Sequence, residues 1–246
     1  MSALGVNFPL RSPQASPTCA QATCDRHLVA TTELGVILFD FDGTLADSFP
    51  MVVAILDRLS PQFGYPKLTP ARVAQFRDLS SREVLKHSRV PLWQQPWLLY
   101  RVKRELSANL AQLQPIEGMT ETLQALRAEG YCLGIVTSNS RSIVDAFLRL
   151  VGWEHYFSWV DAGYRLFSKD RAIVRLRQRL GLLPGAVAYV GDETRDVEAA
   201  RRSGATSVSV AWGFNSERAL RTSQPDVLVH HPHELLSWVR SRHGRA

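Results

Sequence analysis

The sequence predicts an α/β fold, a doubly wound parallel sheet with an all-helical cap domain inserted after the first strand. After residue 34, short segments that are apolar throughout alternate with amphipathic segments of helical length. This alternation is typical of parallel strands covered by helices on both faces. From residue 50 to residue 114 it stops, and no convincing strand pattern occurs. The chain has 246 residues, of which 45% are hydrophobic, enough for a buried core.

Each predicted strand is a short apolar run that ends in a polar or glycine-containing turn. The clear candidates are residues 35–39, 131–136, 186–190 and 207–210, with weaker ones at 158–161 and 226–229. The amphipathic helices between them are predicted at residues 120–129, 142–151, 170–180 and 193–203.

The interval without strands contains helix-like pieces separated by prolines: residues 51–59, 69–79, 81–87 and 97–113. An insertion at this point lies over the loops at the carboxyl end of the first strand, where a lid is useful. We therefore predict a helical cap at residues 50–114 and an α/β core at residues 34–49 and 115–246. Residues 1–33 lack apolar periodicity and are predicted to be a disordered or loosely attached extension.

The net charge of +6 favours an anionic partner. A stripe of three arginines, Arg171, Arg175 and Arg179, lies opposite apolar positions of a predicted helix and is interpreted as a solvated face rather than a nucleic-acid site. No apolar run approaches the roughly 20 residues that cross a bilayer. We expect a soluble, cytoplasmic monomer or homodimer without nucleic-acid or membrane partners. Organellar targeting by the N-terminal extension is the alternative.

Polar residues follow the predicted strands, at the edge where open parallel sheets bind ligands. The segments are Asp40-Phe41-Asp42-Gly43-Thr44, Thr137-Ser138-Asn139 and Gly191-Asp192-Glu193-Thr194-Arg195-Asp196, with Lys169 at the start of the helix before the last of these strands. Each segment alone is explained by a turn, a helix cap or a surface lysine. Their occurrence together in this order indicates a site.

Asp40 and Asp42 lie two residues apart, so in extended backbone their carboxylates point to the same side. At ~4 Å and an effective dielectric of ~20, two such charges repel by about 4 kcal/mol, and Asp192 adds a third. A divalent cation relieves this repulsion, and ligation by oxygen alone favours Mg²⁺. Lys169 and Thr137 are then candidates to hold phosphate oxygens.

The segment from Ile37 to Ser48 resembles the first motif of the haloacid dehalogenase superfamily of phosphohydrolases. Thr137, Lys169 and the segment 191–196 are similar to the second, third and fourth motifs, in the same order. The resemblance extends over residues 34–235 and is greatest to the phosphoglycolate phosphatase-like group, which has a helical cap. It implies a Rossmann-like core.

The resemblance also implies roles for the acidic residues. Asp40 is the expected nucleophile, which forms an aspartyl-phosphate. Asp42 is the expected general acid and then base, and its backbone carbonyl is an expected ligand of Mg²⁺. Asp192 is expected to complete the metal site, and Asp196 to support that site or to orient Lys169.

Substrate binding is assigned to Thr137, Ser138, Asn139 and Lys169, which hold the phosphate. In the cap, six residues are candidates to contact an anionic organic group: Arg77, Arg82, Trp93, Trp97, Arg101 and Arg104. Arg82 is favoured because it opens a predicted helix after Ser80 and Ser81. The alternative is that the tryptophans pack in the core of the cap and the arginines are solvated.

The expected function is therefore hydrolysis of a small phosphorylated metabolite, with Mg²⁺ as cofactor. Two alternatives are a sugar phosphomutase of the same superfamily and a receiver-like regulatory module that accepts a phosphoryl group. Asp42 argues against the receiver, because an acid-base group two residues from the acceptor hastens hydrolysis of the signal.

Overall fold

The computed structural model describes residues 33–163 and 168–243. The predicted N-terminal extension therefore lies outside the described residues, apart from Glu33. The strands are β1 (Val36–Phe39), β2 (Cys132–Val136), β3 (Phe157–Asp161), β4 (Val187–Gly191), β5 (Thr206–Val210) and β6 (Val227–Val229). In the described part of the chain they form one sheet of six strands in the order β3-β2-β1-β4-β5-β6, and every pair is parallel. The fold class predicted from the sequence is confirmed.

Helices separate and follow the strands. Between β1 and β2 lie α1 (Phe49–Phe63), α2 (Pro70–Arg77), α3 (Ser81–His87), α4 (Gln95–Ala108), a short 3₁₀ turn (Leu110–Gln112) and α5 (Met119–Ala128). The remaining helices are α6 (Arg141–Val151), α7 (Lys169–Arg179), α8 (Thr194–Ser203), α9 (Glu217–Thr222) and α10 (Pro232–His243). Among the described residues, no helix combines the length and the apolar character needed to cross a membrane.

Successive residues of β1 point to opposite faces of the sheet, so the strand belongs to two cores. Ile37 and Phe39 pack on the face covered by α5, α6 and α10, whereas Val36 and Leu38 pack against α7 and α8. All four side chains are fully buried. A strand buried on both faces must be apolar throughout, which explains why this segment is apolar at every position.

Helices α1 and α4 and the connections beside them surround an apolar cluster of their own. It comprises Ile55, Leu59, Phe63, Tyr65, Val90, Leu98, Val102 and Leu106. Helix α1 continues through Pro61 to Phe63, although the prolines were expected to separate the helical pieces. The proline lies near the carboxyl end of the helix, and Gly64 ends it in the left-handed conformation at φ +69°.

The strand register brings the predicted site to one place. Phe39 at the end of β1 is the partner of Ile135 in β2 and of Val190 in β4. The residues that follow these strands therefore leave the sheet side by side. This geometry collects Asp40, Thr137 and Asp192 at the carboxyl edge.

Candidate active site

Asp40 is held rigidly just beyond β1. Its peptide N–H donates to the carbonyl of Val190 at 2.8 Å, which extends the pairing with β4 by one residue. The carboxylate is buried, and its Oδ1 accepts the N–H of Phe41 at 2.7 Å. Its Oδ2 accepts a hydrogen bond from Nζ of Lys169 at 2.5 Å. The side chain thus has a fixed orientation toward the carboxyl edge.

The turn after Asp40 lies directly against Asp192. Gly43 has φ +73°, and a Cβ on it would lie 2.3 Å from Oδ2 of Asp192. The hydroxyl of Thr44 donates to Oδ1 of Asp192 at 2.8 Å. Only glycine allows both the left-handed backbone and this close approach. The glycine of the Asp-Gly-Thr segment is therefore required by the packing of the site.

Three buried carboxylates converge here, and we call Asp40, Asp192 and Asp196 the acid cluster. One oxygen from each lies within 4.8 Å of the others. Burial, together with the charges of Glu193, Asp196 and Asp40, raises the pKa of Asp192 well above its ordinary value. Burial likewise raises the pKa of Asp196, against the opposing effect of Lys169. The cluster is a place where negative charge is held at a cost in free energy.

Lys169 supplies one cation to this cluster. Its ammonium group is buried and donates to Asp196 Oδ1 at 2.8 Å as well as to Asp40. Burial alone would lower the pKa of Lys169, but the adjacent charges of Asp196 and Asp40 raise it above its ordinary value. The lysine is therefore charged, and it neutralises only part of the three carboxylates.

The chemistry of these donors fits a divalent cation. Three carboxylates with converging oxygens and one ammonium leave an excess of negative charge in a buried position. Hard cations prefer oxygen ligands of this type. Asp196, which the sequence placed in a supporting role, belongs to the converging group, whereas the side chain of Asp42 does not.

Asp42 lies beside the cluster in a different environment. Its Oδ2 accepts a hydrogen bond from the side-chain amide of Asn139 at 2.9 Å. Burial and the charge of Asp40 raise its pKa to about 6, although the contacts with Ser48 and Asn139 act in the opposite direction. Asp42 therefore holds a proton more readily than an ordinary aspartate.

The loop after β2 brings the predicted phosphate-binding residues together. Thr137 is buried, and its N–H donates to the carbonyl of Asp161 at 3.0 Å. Its hydroxyl accepts the N–H of Asn139 at 3.2 Å. Lys103 of α4 donates to the carbonyl of Ser138 at 3.2 Å, so the inserted helices contact this loop.

The cap candidates separate into different surroundings. Arg82 is exposed in the first turn of α3, next to Ser81, whose hydroxyl donates to Glu193. Trp93 and Trp97 are 78% and 54% exposed, so the alternative in which they pack in the core of the cap is wrong. The turn before α4 and the first part of that helix present them on its outer side, while Leu98 faces inward.

The remaining cap candidate that makes a defined contact with the core is Arg77. Its guanidinium donates to the carbonyls of Gly213 and Phe214, at 2.9 and 3.3 Å, and lies over the ring of Phe49. A cavity of about 270 Å³ adjoins this contact and is enclosed mainly by apolar side chains of α1–α4. The polar part of its wall includes Arg77, Ser81 and Glu193.

Sequence reasoning missed the loop after β5. The N–H of Phe214 donates to Oδ2 of Asp192 at 2.7 Å, so this loop holds one member of the acid cluster. A Cβ on Gly213 would lie 2.2 Å from the side chain of Asp192. The available signal was a glycine that follows a predicted strand by three residues, which sequence alone does not distinguish from an ordinary turn.

Known proteins resemble this chain in sequence and in fold. A family model described as haloacid dehalogenase-like hydrolase matches residues 37–210. Solved structures share the fold. A haloacid dehalogenase-like family hydrolase from Streptococcus pneumoniae has a TM-score of 0.71 at 22% identity and covers 85% of this chain and 99% of its own. A predicted phosphatase from Clostridium acetobutylicum has a TM-score of 0.72 at 19% identity, with coverage of 85% and 99%. The chain belongs to the haloacid dehalogenase-like hydrolase family.

Relatives with similar sequences indicate which kind of hydrolase the chain is. A phosphoglycolate phosphatase from Synechococcus elongatus is 47% identical over 82% of this chain and 96% of its own length. A phosphoglycolate phosphatase from Xylella fastidiosa is 30% identical over 81% of this chain and 90% of its own length. Within the family, the chain is a phosphatase.

Proposed function

We propose that the protein is a Mg²⁺-dependent phosphomonoester hydrolase that acts on a small phosphorylated metabolite through an aspartyl-phosphate. The observation that carries the proposal is the buried acid cluster in contact with Lys169. Beside it lies Asp42, whose carboxylate accepts a hydrogen bond from Asn139 and is not part of the cluster. This arrangement provides a nucleophile, a cation site and an acid-base group at one edge of the sheet.

The groups that would hold Mg²⁺ are the carboxylates of Asp40 and Asp192 and the backbone carbonyl of Asp42, with Asp196 supporting them. The ion would supply positive charge that reduces the repulsion between an anionic nucleophile and an anionic phosphate ester. The two bonds from Thr44 and Phe214 orient Asp192 for this role.

In the first step, an oxygen of Asp40 attacks phosphorus and forms a new P–O bond. The bond from phosphorus to the ester oxygen breaks, and Asp42 donates its proton to the departing alkoxide, so that a neutral alcohol leaves. Lys169 holds Asp40 in place through its ammonium group. Asn139, which donates to Asp42, keeps that carboxyl group directed at the reacting centre.

In the second step, Asp42 accepts a proton from a water molecule, whose oxygen attacks the phosphorus of the aspartyl-phosphate. The bond between phosphorus and Asp40 breaks, and inorganic phosphate is released with the carboxylate restored. Thr137, Ser138 and Asn139 are assigned to the phosphate oxygens, because their loop lies at the same edge. Most of the rate enhancement of such reactions comes from positioning and charge stabilisation.

We propose that residues 50–114 form the cap domain that covers this site. Its support is the separate apolar cluster of these helices and their polar contacts to the loops after β2, β4 and β5. A cap that closes over the acid cluster excludes bulk water and brings cap residues to the organic part of the substrate.

Phosphoglycolate is the proposed substrate, because relatives that match over nearly their whole length are phosphoglycolate phosphatases. Its carboxylate requires a cation on the cap side of the phosphate. Arg82 and Arg77 are the assigned candidates, one exposed beside Ser81 and the other at the wall of the cavity.

The test is phosphate release from a panel of phosphorylated metabolites, with Mg²⁺ and with EDTA, for the unaltered protein and for Asp40→Asn. We expect the highest kcat/KM with phosphoglycolate, no activity in EDTA and no measurable turnover by Asp40→Asn at unchanged circular dichroism. Asp47→Asn is the matched control, since this acid belongs to the same motif but its side chain is exposed.

Near-native turnover by Asp40→Asn would refute the nucleophile assignment. Full activity in EDTA would refute the metal site. Stable phosphorylation of Asp40 that lasts for hours without turnover would favour the regulatory alternative, and exchange of phosphate between positions of a hexose phosphate would favour a mutase.

A further inference from the structure

The loop after β5, residues 211–216, is in direct contact with the acid cluster. Besides the bond from Phe214 to the carboxylate of Asp192, the N–H of Asn215 donates to the backbone carbonyl of Asp192 at 3.3 Å. Gly213 packs so closely on Asp192 that no side chain fits between them. A shift of this loop therefore moves Asp192.

The same loop also contacts the inserted helices. Arg77 donates to two of its carbonyls, and the N–H of Ser216 donates back to the carbonyl of Arg77 at 2.7 Å. The rings of Phe49 and Phe214 meet edge to face at 5.2 Å. The end of α2 and the loop are thus joined by bonds in both directions.

The side chain of Asn215 connects both sides through one amide group. Its Oδ1 accepts the N–H of Thr194 at 2.9 Å, in the first turn of α8, which carries Asp196. Its Nδ2 donates to the carbonyls of Arg77 and Leu79, at 3.0 and 2.8 Å. The residue is only 4% exposed, so water cannot take over these bonds without rearrangement.

We infer that Asn215 is a positioning residue that couples the seating of the cap to the geometry of the acid cluster. The inference rests on the proposed function. A displacement of the cap is transmitted through the planar amide. Its oxygen accepts a hydrogen bond from the helix that carries Asp196, and its nitrogen donates one to the cap. Coupling between two sites is reciprocal, so cation binding at the cluster must also strengthen the contact between the cap and the loop after β5.

The experiment compares Asn215→Leu with the unaltered protein. Leucine has a similar shape and no charge, so it removes the three hydrogen bonds of the side-chain amide without adding charge near the cluster. Asn215→Ala removes the same hydrogen bonds and also leaves a cavity. Comparison of the two variants therefore separates the effect of lost packing from the effect of lost coupling. The control is Arg218→Ala. The exposed Arg218 of α9 forms an ion pair with Asp78, which follows α2, and it does not contact the cluster.

Three quantities are measured on folded protein: the Mg²⁺ dissociation constant by calorimetry, hydrogen exchange of segments 77–81 and 213–216, and KM and kcat with phosphoglycolate. We expect both Asn215 variants to bind Mg²⁺ about tenfold more weakly, within the usual range of coupling between sites. In the unaltered protein and in Arg218→Ala, Mg²⁺ should slow exchange in both segments. This effect should disappear in Asn215→Leu.

Equal Mg²⁺ affinity in Asn215→Leu and the unaltered protein, with the same protection of segments 77–81, would overturn the inference and leave the proposed function intact. Weaker binding in Asn215→Ala alone would overturn it as well, because the cause would then be the cavity. Failure of the unaltered protein to bind Mg²⁺ would instead overturn the metal site of the proposed function, and the inference with it.

Discussion

Replacement of Lys169 by methionine tests the electrostatic balance of the site. Methionine is a flexible apolar chain of similar length, so the main loss is the ammonium that bonds Asp40 at 2.5 Å and Asp196 at 2.8 Å. The carboxylates of the acid cluster lie within 4.8 Å of one another, which at an effective dielectric of ~20 means a repulsion of at least ~3 kcal/mol per pair. Removal of one partner from a buried ion pair costs about 3–5 kcal/mol. We expect a loss of this size in the free energy of unfolding.

The assay is urea unfolding in EDTA and at increasing concentrations of Mg²⁺. Because Lys169→Met retains all three carboxylates and lacks the competing cation, Mg²⁺ should stabilise this variant more than it stabilises the unaltered protein. Phosphatase activity should nevertheless fall by about 10²–10³, since a charge that faces the reacting groups is lost. Lys67→Met is the control, because this lysine is exposed and its removal should change stability by no more than about 0.5 kcal/mol.

Two outcomes would refute this reasoning. If Lys169→Met unfolds at the same urea concentration as the unaltered protein in EDTA, the lysine does not balance the acid cluster. If Mg²⁺ stabilises the variant less than the unaltered protein, the carboxylates do not form the cation site.

Two further substitutions probe separate parts of the site. Asp42→Asn should lower kcat/KM, which reports the first step, by about 10²–10⁴ for alkyl phosphates and by less for nitrophenyl phosphate, because the nitrophenolate leaves without a proton; an equal loss of kcat/KM on both substrates would contradict the assigned acid role. Gly213→Ala places a Cβ 2.2 Å from the side chain of Asp192 and should raise the Mg²⁺ concentration needed for half-maximal activity. Gly64→Ala is the comparison, because its positive φ strains the backbone while no atom lies within 4 Å of its Cβ, so it should lower the melting temperature alone.

The strands of the core were predictable because burial on both faces leaves a local signature. Each central strand is apolar at every position, and the polar residue after it marks the edge of the sheet. Strand order was not needed to find Asp40, Asp42, Thr137 and Asp192. Parallel strands deliver all their carboxyl ends to the same edge, so four polar positions in sequence order already indicated one site.

Other features depend on contacts between distant residues. In the sequence, Pro61 indicates the end of a helix, yet α1 continues to Phe63 because the proline falls in its last turn. The aromatic spacing of Trp93 and Trp97 is compatible with either face of a helix, and only the packing of α4 shows that both are exposed. The cytoplasmic location and the oligomeric state stay predictions from the sequence.

By itself, the sequence indicated one site at the carboxyl edge of a parallel sheet, because strand periodicity decides where each polar residue leaves the sheet; the resemblance of its motifs then indicated the family and the reaction class. The sequence implied a supporting role for Asp196, but tertiary structure was needed to show that its carboxylate converges with those of Asp40 and Asp192 and that Asn215 joins this cluster to the cap. These contacts span intervals of up to 156 residues, from Asp40 to Asp196. No local pattern encodes them, since each depends on the positions of two helices and a loop that only the packed core brings together.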